Sequence, residues 1–181
     1  MSAEHAFEAA HEQHAHDRPR WIPIAAAALA VLAAVSGFFA NLRSTQALGA
    51  KSDEIVATTH AADTYNEYEA SRIKFYVYSA ALDAGTARTE DKLRATAEHE
   101  SGKGPALLAK ARAYQDEEAR DNALAERLLI AHEIIEVGST LFEVAIVLIS
   151  ITALVGSRLL PISAGVAAAL GLIFLVVGLT R

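Results

Sequence analysis

Three stretches of the chain run apolar with no charged residue: 22–42 (IPIAAAALAVLAAVSGFFANL), 144–157 and 159–180. Between the first two, in residues 43–136, apolar positions recur at helical spacing among most of the chain's acids and bases. A helix rises about 1.5 Å per residue, so about 20 apolar residues cross a hydrocarbon core about 30 Å thick. The pattern predicts an all-α membrane protein with three transmembrane helices. A long extramembrane antiparallel helical stalk, coiled-coil-like, is expected between the first and the second.

Charges and breakers set the expected boundaries. Residues 1–20 read as a mobile His-rich tail, 21–42 as transmembrane helix 1, 43–136 as the stalk with a bend at 84–104, 137–157 as transmembrane helix 2 and 161–180 as transmembrane helix 3. Trp21 suits a membrane interface, and Pro23 suits a first helical turn. The acidic tail and the length of the first apolar run favour a retained anchor over a cleaved signal peptide. Arg18, Arg20 and Arg158 outnumber Arg181, which favours the tail and the last hairpin turn on the cytoplasmic side.

Asp83-Ala84-Gly85-Thr86 should end the first arm, and SGKGP at 101–105 is the strongest turn signal in the chain. A short helix over 89–100 is expected between them. Gly156 to Pro161 should form the tight turn before the last span. Leu48, Ile55 and Ala62, spaced by seven, mark the expected seam of the first arm, continued less regularly by Tyr65, Tyr68, Ile73 and Tyr76. Leu107, Tyr114, Leu124, Leu128, Ala131 and Ile135 mark the returning arm. Small-residue stripes, Ala26, Ala30 and Ala34 in the first span and Ala164, Ala167, Ala168 and Gly171 in the third, predict close helix approach in lipid.

The stretch ADTYNEYEASRIKFYVY, residues 62–78, resembles the aromatic-x-x-aromatic-Gln-Ala-Lys-x-Ile-Lys segment of the uncharacterised bacterial membrane family known as domain of unknown function 4337. Tyr65, Tyr68, Ala70, Ile73 and Lys74 match, whereas Glu69 stands in place of the Gln and Ser71 in place of the Lys. The order of one span, a charged helical insert and a C-terminal hairpin is similar from about Trp21 to Thr180. The resemblance implies a multi-pass protein of the bacterial inner membrane. It carries no catalytic residue.

One carboxylate falls inside an apolar run. Beginning the second span at Val144 would leave it too short, so Glu143 is expected about 9 Å below the interface. At 3.6 residues per turn His132, Glu136 and Glu143 share, with Glu118, Asp121 and Ser139, one polar stripe about 60° wide. Antiparallel counting places Ser36 level with Glu143 and Arg43 level with Glu136. An intramembrane acid is a functional candidate because its insertion is costly. A hydrogen bond from Glu143 to Ser36 or to a neighbouring subunit would make it a register device; a proton or ion pathway is the sharper use.

In the tail, His11, His14 and His16 could gather a transition metal, although a solvated low-complexity tail has the same composition. The di-metal bundle motif, two Glu-x-x-His pairs, is missing, since the one such pair is Glu8 to His11. No Gly-rich phosphate loop or nucleophile elbow occurs, so no cofactor and no enzymatic activity are expected. Tyr65, Tyr68 and Tyr76 are a candidate interaction surface, or else the buried seam of the stalk. The net charge of −6 gives no nucleic-acid footprint. The absence of cysteine excludes disulfides and thiolate metal sites. Expected partners are membrane lipid, further copies of the chain and another envelope protein. The expected function is that of a membrane structural or interaction protein, with a small ion or proton transporter or channel component as the alternative.

Overall fold

The structure, a computed structural model, describes residues 21–85, 90–155 and 157–181. These form three α-helices: α1 (Trp21–Asp83), α2 (Glu90–Val155) and α3 (Leu159–Thr180). Each is long and apolar enough over part of its length to cross a membrane. Two units divide the chain, one joining the described residues up to Thr45 to Arg127–Arg181, the other formed by Gln46–Glu126.

In the first unit, segments of α1, α2 and α3 pack through small residues. A Cβ on Gly138 of α2 would lie 2.9 Å from the Gly171 carbonyl oxygen of α3 and 3.2 Å from the Leu175 nitrogen. A Cβ on Gly178 would collide with Ile135. With no side chain at these positions the two backbones touch directly, which gains dispersion contacts. Phe142 and Ile135 are fully buried beside Ala40 and Leu175. Ile22, Ala145, Ile149, Ala164 and Ala167 form a second cluster. The small-residue expectation for the third span therefore holds: Ala164, Ala167 and Gly171 are buried and Ala168 is half-buried. For the first span it fails at Ala30 and Ala34, which are exposed. The face of α1 that packs carries Ile22, Leu29, Ser36 and Ala40 instead.

In the second unit α1 and α2 run antiparallel. Contacts climb α1 as they descend α2, from Lys51 with Asn122 at 2.7 Å, through the stacked rings of His60 and Tyr114, to Ser71 with Glu100 at 2.8 Å. The seam is built from small residues: Ala47, Ala50, Ala57, Ala61, Thr64 and Ser71 are buried on α1, and Ala97, Ala111 and Ala125 on α2. These α1 positions fall at spacings of three and four or their sums, the rhythm of a helix that keeps one face on a partner.

The expected seam of larger residues is thus corrected. Leu48 is 68% and Ile55 65% exposed, and Ala62 and Leu124 also face outward. Alanine lets the helix axes approach closely, and that geometry excludes the bulkier stripe from the interface. Leu107, Tyr114, Leu128, Ala131 and Ile135 do lie on buried or half-buried positions of α2.

The expected turn at SGKGP is also corrected, because α2 continues through it with Pro105 inside the helix. Proline has no N–H for the Ser101 carbonyl, which by itself disfavours a helix here. Two local contacts favour continuation: Gly104 leaves room for the Tyr68 ring, 3.3 Å from where a Cβ would stand, and Ser101 Oγ donates to the Glu98 carbonyl at 2.9 Å. The break before α2 falls where the first signal stood. Gly85 has a φ of +61°, a left-handed conformation glycine takes without strain, and its N–H donates to the Leu82 carbonyl at the end of α1. At the other turn α2 ends at Val155, and Ser157 Oγ accepts from the Leu159 N–H as α3 begins. Pro161 lies in the first turn of α3, where its missing donor costs little.

Candidate functional site

The polar stripe of α2 lies in the first unit, where α1 accepts from it at two carbonyls seven residues apart. His132 Nδ1 lies 2.9 Å from the Ala40 carbonyl oxygen, and Ser139 Oγ donates to that of Ala33 at 3.3 Å. A carbonyl only accepts, so Nδ1 carries the hydrogen. That tautomer turns Nε2 toward Glu136 Oε2, 3.5 Å away, and the two attract when one of them holds a further proton. Thus His132 ties α1 to α2 with one nitrogen and stands beside the Glu136 carboxyl with the other.

Ser36 sits between the two carbonyls along α1. It is 0% exposed, and among the described residues its hydroxyl has no hydrogen-bond partner. The expected link from Ser36 to Glu143 is therefore corrected, because Glu143 faces outward. Its helix turns Phe142 and Ala145 into the unit and leaves Glu143 on the opposite side with Val144 and Val147. Thr140 and Ser150 share that outer face, each bonding a carbonyl of its own helix. Arg43 donates to the Leu179 carbonyl at the end of α3 at 3.5 Å. A cation there complements the negative end of the helix dipole.

The second unit holds the aromatic candidates. Tyr65 donates to Gln115 Oε1 at 3.2 Å and is half-buried. Tyr68 packs on Gly104, whereas Tyr76 is exposed. The Arg72 guanidinium lies 5.7 Å from the Tyr68 ring centre and 5.6 Å from that of Tyr76, and donates to the Tyr76 hydroxyl at 3.1 Å. That hydrogen bond first, and the charge interaction with the two phenols after it, raises the Arg72 pKa above its ordinary value. So Tyr68 and Tyr76 meet at Arg72, and Tyr65 lies apart from them.

Behind them is a buried carboxylate. Glu100 Oε1 accepts from Lys103 at 2.8 Å and Oε2 from Ser71 at 2.9 Å, while the same Ser71 hydroxyl also reaches the Glu100 carbonyl. Hydrogen bonding from Lys103, then from Ser71, holds the carboxyl below the usual carboxylate range against the opposing effect of burial, and Lys74 adds to it. Sequence reading missed Arg72, Glu100 and Lys103. The available signal was Ser71, which departs from the family's Lys in the segment that carries the resemblance.

Among the described residues no group of three or more His, Asp or Glu is placed to hold a metal ion. His11, His14 and His16, the tail's metal candidates, lie outside the described residues.

All described secondary structure is helical, and the class is that of an all-α chain with three helices able to cross a membrane. The chain belongs to the family described as domain of unknown function (DUF4337), whose family model matches residues 18–181. No curated protein and no solved structure matches it.

Proposed function

We propose that this is an integral, multi-pass membrane protein that assembles with copies of itself and acts as a structural or interaction element rather than an enzyme. Its spans would be 21–42, 137–157 and 161–180, with 43–136 as the polar, coiled-coil-like hairpin outside the hydrocarbon and a bacterial inner membrane as its setting. The observation that carries the reading is the outward placement of Glu143 on an otherwise largely apolar face. An acid facing lipid within a span costs up to about 2.5–3.5 kcal/mol on insertion scales, the full value applying at the span's centre. A second copy removes that cost. In a two-fold interface the same patch meets itself, so Glu143, Thr140 and Ser150 of one copy would find hydroxyls and carboxyls on the other. The outward Leu48, Ile55 and Ala62 stripe of the second unit supports the same reading, since an apolar stripe repeated every seven residues is what helix pairs bury.

The test is cysteine crosslinking at Val147, beside Glu143 on the outer face, in native membranes. A product at twice the chain's mass is the expected result. A monomer in mild detergent, with no crosslink to itself, would overturn the proposal, and a crosslink to a different envelope protein would replace self-association with that partner.

The His132 and Glu136 contact favours a second use of the stripe, a proton or ion pathway between copies. Glu143→Gln keeps the hydrogen-bonding shape and removes the charge. Loss of proton or ion flux in reconstituted vesicles, with assembly intact, supports the pathway; unchanged flux removes it.

A further inference from the structure

The aromatic cluster of the second unit surrounds a half-open cavity of about 390 Å³, lined by Tyr68, Arg72, Phe75, Tyr76 and Leu108 among others. That is the size of a site for one small molecule. Its walls are mostly apolar and aromatic, and its charged lining residues are the Arg72 guanidinium and the Glu100 carboxylate. Arg72 has five N–H donors, of which the Tyr76 hydroxyl engages one, and among the described residues it pairs with no carboxylate. Glu100, which also lines the cavity, is already held by Lys103 and Ser71, and Lys74 is close enough to act on it. Lys103 and Lys74 thus offset the one carboxylate that lines the cavity. With that carboxylate hydrogen-bonded on both oxygens, the guanidinium keeps free donors that an anion can use.

We propose that this cavity binds a small amphipathic carboxylate, an aryl or short-chain acid whose carboxylate meets the Arg72 guanidinium and whose apolar body lies against Phe75, Tyr68 and Leu108. The guanidinium lies 5.7 and 5.6 Å from two tyrosine ring centres, and its planar fork matches a carboxylate with two parallel hydrogen bonds. Phe75 is half-buried beside it and offers no polar group, so an inorganic anion would use only half of the site. The site lies wholly in residues 68–108 and uses none of the α2 stripe, so it stands or falls separately from self-association.

The experiment is a calorimetric titration of the full chain in lipid nanodiscs with phenylacetate, the uncharged phenylacetamide, phenethylamine and inorganic phosphate. Phenylacetate is expected to bind saturably and the other three far more weakly. Arg72→Gln should weaken phenylacetate binding about tenfold or more, and Arg72→Lys by less, because a point charge replaces the fork. Arg72 is exposed, so the variants should keep the wild-type helicity and unfolding midpoint. The proposal is overturned if phenylacetate shows no saturable binding, if phenylacetamide or phosphate binds as tightly, or if Arg72→Gln binds phenylacetate like the wild type.

Discussion

A methyl group on Gly138 would lie 2.9 Å from the Gly171 carbonyl oxygen, and one on Gly171 would lie 3.0 Å from that of Gly138. Both obstacles are backbone, which cannot rotate away as a flexible side chain can. Gly138→Ala and Gly171→Ala should each destabilise the first unit by about 1–3 kcal/mol, the usual cost of overpacking. Gly37→Ala is the control, since no atom lies within 4 Å of its added methyl. Thermal unfolding followed by circular dichroism in detergent should show lower midpoints for the first two variants and no decrease for the third.

Ser36 gives the opposite sign. Its buried hydroxyl has no partner among the described residues, and an unmade hydrogen bond retains its desolvation cost. Ser36→Ala should therefore raise stability by about 1 kcal/mol with the helix contacts intact. A lower unfolding midpoint would mean that the hydroxyl is bonded in the assembled protein.

The alanine seam and the outer stripe predict different failures. Ala125 is fully buried, so Ala125→Leu should cost about 1–3 kcal/mol of stability through overpacking. Ile55→Ser should leave the unfolding midpoint of the isolated chain nearly unchanged, because Ile55 is exposed, and should reduce crosslinking between copies. Equal loss of stability in both variants would place the two residues in one interface.

Glu100 predicts a pH dependence with a defined sign. Its folded pKa is lowered, so the clamp with Lys103 and Ser71 contributes stability that is fully present above the unfolded carboxylate value. That contribution is lost as the pH falls through the lowered folded value. Glu100→Gln should therefore unfold earlier than the wild type at neutral pH, and the difference should close in acid below the usual carboxylate range. Parallel midpoints of the two proteins across neutral and acid pH would refute the clamp.

The helical character, the three apolar stretches and the family segment were all legible because each is a property of consecutive residues. The break at Gly85 was legible for the same reason. Leu48, Ile55 and Ala62 misled because hydrophobic periodicity weighs side chains by their aversion to water, whereas the interface selected them by size. SGKGP misled because its local preference for a turn is opposed by Tyr68 on Gly104 and by Ser71 on Glu100, contacts that α1 makes from far along the chain.

Helical phase put His132, Glu136 and Glu143 on one stripe, and no change of tertiary structure alters that, since side-chain direction along a helix is set by its geometry. Which face of α2 is covered was decided only by the arrival of α1 at His132 and Ser139 and of α3 at Gly138. Those two neighbours take the sides where small residues or carbonyls allow close approach, and they leave Glu143 outside. One-dimensional spacing determines what a helix displays; three-dimensional packing determines what meets it.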